Sequence, residues 1–111
     1  MIDDKARITK GSKVEFSIFL VDSDKRPLSL SQWASGNLIF CNCKGVKSTI
    51  ALTIPGANPD KGEIAVVIPS TESIKADEKW QSADVELIDG SSETTIVVLE
   101  NKFEIVDRVC P

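Results

Sequence analysis

Apolar and polar residues alternate with a period of two in several separate stretches of this chain. In KVEFSIFLV (13–21), Val14, Phe16, Ile18 and Leu20 share one side of an extended backbone, while Lys13, Glu15 and Ser17 share the other. That pattern predicts a strand with one face in a core. Phe19 and Val21 place apolar side chains on the polar side at its far end. That side is therefore either covered by a loop of the same chain or open to a partner. STIALTI (48–54) predicts a similar strand, with Ile50, Leu52 and Ile54 inward and Thr49, Ala51 and Thr53 outward. EIAVVIP (63–69), ADVELID (83–89), TTIVVLE (94–100) and FEIVD (103–107) predict further strands, and NLIFCN (37–42) predicts one that starts after Gly36. The expected inward set is Phe16, Ile18, Leu20, Ile50, Leu52, Ile64, Val66, Val85, Leu87, Val97 and Leu99.

The segments between these runs carry turn chemistry. DSDK (22–25) turns the chain, and Pro27 lacks the amide hydrogen that a central ladder position needs. PLSLS (27–31) reads as a short extended connector, with Leu28 and Leu30 on one side. PGANPDKG (55–62) reads as a loop. STESIKADEKW (70–80) holds the only helix signals: Ser70 or Thr71 as a cap and Ile74 as the single strong apolar anchor. They predict at most one helical turn near 70–79. Seven to eight short strands with turns every 8 to 12 residues predict an all-β fold, an antiparallel sandwich or small barrel. Parallel α/β architecture is excluded because no crossover helices are written. The length of 111 residues predicts one domain spanning 1–111.

Composition narrows the function by exclusion. The formal net charge is −4 and no Lys/Arg cluster is present, which argues against a nucleic-acid partner held through phosphates. No apolar run approaches the roughly 20 residues that cross a bilayer, and the N-terminal MIDDKARITKG has no apolar core of the kind a secretory signal carries. The chain has no histidine and no tyrosine, so the commonest general base is absent. No nucleophile elbow, phosphate-binding glycine loop or zincin motif occurs, and no enzyme and no cofactor are expected. Asp22-Ser23-Asp24 opens like a calcium loop, but Arg26 stands where an oxygen ligand belongs and no glycine follows, so it reads as a hairpin turn. Cys41 and Cys43 lie two apart in CNC, on one face of a strand, where a disulfide would be strained. With Cys110 they make three cysteines, short of the usual four zinc ligands, so three free thiols and no metal are expected. Trp33 and Trp80 lie at strand borders, where a tryptophan is either a core or edge plug or an exposed platform for a partner or a sugar.

Four phrases then stand in order: KGSKVEFSIFLVDSDKRPLSL, SGNLIFCNCKGVKSTIALTI, PDKGEIAVVIPSTESI and WQSADVELIDGSSETTIVVLENKFEIVDRV. Together they resemble small immunoglobulin-like proteins of tailed bacteriophages, in particular the N-terminal domain of the phage baseplate upper protein family. Lys10-Gly11, Pro27 to Ser31, Gly62 to Pro69 with Thr71, and Asp84 to Leu87 carry the likeness. Ser29-Leu30-Ser31 departs from the family's Asp-Leu-Thr, and Asn101 stands where the family has a glycine before Phe103. The resemblance implies an immunoglobulin-like antiparallel sandwich and a non-catalytic virion or assembly component of tail, baseplate or neck. It would be made in the host cytoplasm and would act through association with other virion proteins or with itself. The alternative is a cellular carbohydrate-binding or adhesion sandwich. The resemblance also implies that the proline-led connector closes an edge while the chain crosses between sheets, with Ser29 and Ser31 bonding nearby backbone. Candidate interface residues are Phe19, Val21, Trp33 and Trp80.

Overall fold

The computed structural model describes residues 5–54 and 59–107. Within them the chain forms β1 (Ala6–Thr9), β2 (Val14–Phe19), β3 (Trp33–Cys41), β4 (Lys47–Leu52), β5 (Glu63–Ile68), β6 (Ala83–Asp89), β7 (Thr94–Leu99) and β8 (Phe103–Val106). One helical turn, α1 (Ser70–Ser73), and two 3-10 turns, Pro59–Lys61 and Glu78–Gln81, complete the regular structure. The fold is all-β, as the alternation predicts. Three hydrogen-bonded units build it: β4-β3-β6-β7, β2-β5 and β1-β8.

Two strand assignments differ from the sequence expectation. ARIT, unassigned by its pattern, is β1, and it pairs with β8 in parallel, Ala6 opposite Phe103 and Ile8 opposite Ile105. The fold is therefore not wholly antiparallel. β3 begins at Trp33, four residues before Asn37, and runs through Gly36, with a bulge between Trp33 and Ser35 where it meets β6. Glycine is required at 36 because a Cβ there would strike the Ile54 side chain and come 2.8 Å from the Glu86 carbonyl oxygen. The glycine that reads as a strand break is what lets the neighbouring elements close on β3.

The connector behaves as its residues suggest. Asp22 Oδ1 accepts the amides of Asp24 (2.9 Å) and Arg26 (3.0 Å), which tightens the turn. Val21 then bridges Pro27, and the Leu28 N–H donates to the Leu20 carbonyl at 2.9 Å. From there the chain passes from β2 in the two-stranded unit to β3 in the four-stranded sheet, with Leu30 fully buried as the peg. Ser29 and Ser31 do not bond backbone; their hydroxyls bond each other at 3.0 Å. Gly62, at φ 65°, lies where a Cβ would collide with the Leu20 carbonyl, while its own carbonyl accepts the Leu20 N–H at 2.9 Å. Only glycine lets the entry to β5 close on the connector at this point.

The three units share one hydrophobic core. Leu20, Ile50, Leu52, Ile64, Val66, Val85 and Leu87 of the expected inward set are buried, and Phe16, Ile18, Val97 and Leu99 are half-buried against them. An aromatic column crosses the centre. Phe16 of β2 meets Phe103 of β8 edge-on at 5.7 Å, Phe103 meets Phe40 of β3 at 5.2 Å, and Phe40 stacks on Trp80 at 4.2 Å. Trp80, expected as a candidate interface residue, is fully buried beneath this stack and is a core residue. Ile74 is half exposed and anchors nothing. Ser73, Ala76 and Trp80 face inward instead. The N-cap of α1 is Pro69, with no side-chain capping bond from Ser70 or Thr71.

Candidate functional site

The residues singled out from the sequence do not gather into one site. Phe19 and Val21 follow one another on the outward side of the end of β2, flanking the buried Leu20, and are 59% and 55% exposed. No loop among the described residues covers them. Ala65, opposite Ser17 on β5, and Val67, opposite Glu15, extend the same outward face. Trp33 belongs to the other sheet, where it is half-buried and packed against the core. Phe19 and Val21, continued by Val67 on the same face, thus form a small apolar patch apart from Trp33.

Sequence reasoning missed a concavity in which charged groups of the described residues converge. Lys10, Cys43, Ala76, Asp77, Glu78, Gln81, Ile105 and Asp107 line an open hollow of about 470 Å³. Distant segments build it: the turn after β1, the β3–β4 hairpin, the segment between α1 and β6, and the end of β8. Asn42, buried at the hairpin, holds the turn by accepting the amides of Lys44 (3.0 Å) and Val46 (2.9 Å) on Oδ1 and donating through Nδ2 to the Lys75 carbonyl (3.2 Å). Asp77 adds a second tie: Oδ2 accepts the Cys43 N–H at 2.7 Å and Oδ1 accepts the Lys79 N–H at 3.0 Å. No local pattern encodes this meeting of residues 34 apart.

The electrostatics decide what the hollow can do. Burial alone works to raise the Asp77 carboxyl, but the amides of Cys43 and Lys79 and the charge of Lys10 outweigh it and hold the group below the usual carboxylate range. Desolvation, then the neighbouring Asp77 and Glu78 carboxylates, push the Cys43 thiol up. Its Sγ lies 3.7 Å from Glu78 Oε1, to which the thiol donates. A raised thiol is a poor nucleophile at neutral pH, because the thiolate is the reactive form. Asp77 thus acts as a fastener between two turns. Among the described residues, no three His, Cys, Asp or Glu side chains are grouped to hold a metal ion. Cys41, at the end of β3, and Cys43, in the β3–β4 hairpin, are free and exposed. Cys110 lies outside the described residues. Asp22 and Asp89 each accept two amides of their own turns, so the acidic Asp22-Ser23-Asp24 stretch is engaged in turn geometry. Residues 55–58 of the loop expected at PGANPDKG lie outside the described residues. No helix among the described residues is long and apolar enough to cross a membrane.

Compared with known proteins, the chain matches no family model and no curated protein.

Proposed function

We propose that this protein is a non-catalytic association module of tailed-phage particles, in tail, baseplate or neck, that docks on other virion proteins or on copies of itself. The observation that carries association is the exposed pair Phe19 and Val21 on the outward face of the β2–β5 unit. Two large apolar side chains at the end of a strand lose contact with water only when something packs on them. The choice of a phage particle rests on the ordered phrases around Lys10-Gly11, Pro27 to Ser31, Gly62 to Pro69 and Asp84 to Leu87. The immunoglobulin-like part of the reading draws support from strand neighbours. A β2–β5 pair shares a core with a β4-β3-β6-β7 sheet, much as one sheet of a variable-type sandwich faces the other.

The test is to purify phage particles that carry this gene and quantify the chain by mass spectrometry against the tail proteins. A fixed stoichiometric ratio is expected. Absence of the chain from intact particles, together with specific binding of the purified monomer on a glycan array, would replace this reading with the adhesion alternative.

A further inference from the structure

We infer that copies of this chain join head to tail by extending the four-stranded sheet, the β7 edge of one copy against the β4 edge of the next. This rests on the reading of the protein as an association module, and it names a surface distinct from Phe19 and Val21. β4 and β7 are the two edges of the sheet, and no strand among the described residues pairs with their outer sides. Four features of the edges agree.

The first is direction. Each neighbour in the order β4-β3-β6-β7 is antiparallel to the next, so β7 of one copy meets β4 of an identically oriented copy antiparallel. The second is the phase of the backbone groups. The Asp89 N–H donates to the Glu93 carbonyl at 3.0 Å, in register with the β6–β7 ladder. Because alternate residues of an antiparallel strand turn their amides the same way, Thr95, Val97 and Leu99 face β6, while Thr94, Ile96 and Val98 present theirs to the free edge. On the other side, the Asn42 N–H donates to the Val46 carbonyl at 3.0 Å, so Lys47, Thr49 and Ala51 present theirs to the free edge of β4. The third is the side-chain face. Lys47, Thr49, Ala51, Thr94, Ile96 and Val98 are all exposed on the outward side. Pairing them joins outward face to outward face.

The fourth feature is charge, and it selects the partner. Residues 41–54 contain Lys44 and Lys47 and no acid, whereas residues 93–100 contain Glu93 and Glu100 and no base. The sheet therefore has a basic edge and an acidic edge. Antiparallel pairing of β4 with β4 about Thr49 would set Lys47 opposite Ala51, and of β7 with β7 about Ile96 would set Glu100 opposite Ser92, so neither self-pairing gains an opposite-charge pair. Head-to-tail pairing with Thr49 opposite Val98 and Ala51 opposite Ile96 puts Lys47 opposite Glu100. Neither of these two side chains joins an ion pair among the described residues. Such a contact uses two different surfaces of one molecule, so it closes as a ring or grows as a filament according to the angle between copies.

Sedimentation velocity across protein concentration and at low and high salt tests this. The wild-type chain is expected to form larger species with concentration, less so at high salt. Lys47→Glu and Glu100→Lys should each raise the concentration needed by roughly tenfold, and the double variant should recover association. Circular dichroism of each variant separates loss of pairing from loss of fold. In a background with Cys41→Ser, Cys43→Ser and Cys110→Ser, the pair Thr49→Cys and Val98→Cys should give a ladder of disulfide-linked multimers on oxidation. Single charge variants that associate like wild type overturn the inference, as does a dimer trapped by Ile96→Cys alone. Association lost through Phe19→Asp and indifferent to the edge charges overturns the edge pairing and leaves the association reading standing. A chain that stays monomeric at every concentration overturns the edge pairing too, while the particle experiment judges docking to other virion proteins separately.

Discussion

β3 and β7 lie in the same sheet, two positions apart, and their sequences read alike, yet they occupy different energetic worlds. In β3 the inward residues Leu38 and Phe40 have no solvent exposure, and strands flank both sides. In β7 the inward Val97 and Leu99 are only half-buried, Thr95 is exposed, and Ile96 and Val98 face solvent. A period of two reports which face of a strand is apolar. How deep that face lies depends on the neighbours at its edges, and alternation does not encode them. The difference also explains where each strand's job lies: β3 fills the centre, and β7 has a side left to offer.

The comparison can be broken experimentally. Phe40→Ala should cost about 3–5 kcal/mol, since it removes a fully buried ring that stacks on Trp80 and meets Phe103. Urea unfolding followed by tryptophan fluorescence would report it, and a loss no larger than that of an edge substitution would show that the aromatic column is not the centre of the core. Val97→Ala should cost about 1 kcal/mol, because a half-buried edge residue vacates less enclosed space. Equal costs at 40 and 97 would erase the distinction between the strands.

A smaller effect sharpens the picture at the far end of β3. The folded state holds the Asp77 carboxyl low, so its ionised form contributes stability that is present above the ordinary carboxylate range and is lost as pH falls through the lowered folded value. Asp77→Asn keeps an acceptor for one amide and loses the charge. Thermal unfolding should therefore show the variant less stable than wild type at neutral pH, with the gap closing in acid. A gap that persists unchanged in acid would mean that the fastening owes nothing to ionisation.

How much of this was legible in advance follows from range. ADVELID gives β6 with the expected bounds, Ala83–Asp89, and EIAVVI and STIAL gave most of β5 and β4, because each carries its own alternation. ARIT holds only two apolar residues in four, and its partner is nearly a hundred residues away, so nothing local marks β1. Trp80 reads as a border residue because polar neighbours surround it in sequence; the Glu78–Gln81 turn aims it inward instead. Phe19 and Val21 were visible as apolar positions on a polar side, and the fold leaves them open. The hollow beside Cys43 was not visible at all, since Lys10, Cys43, Asp77 and Asp107 meet only when four segments converge.

The parallel pairing of β1 with β8 sets the timetable by which the chain can fold on a ribosome. Phe103 is the ring that bridges Phe16 to Phe40, and β8 is the only strand that pairs with β1 among the described residues. Every earlier strand can be synthesised and exposed while that bridge is still missing. Closing a loop of nearly a hundred residues carries an entropic cost that local contacts do not repay, and contacts so distant in sequence slow folding. Until Val106 has emerged, neither the β1–β8 pairing nor the contacts of Phe103 with Phe16 and Phe40 can be complete, so apolar surface that the folded protein buries stays open to water.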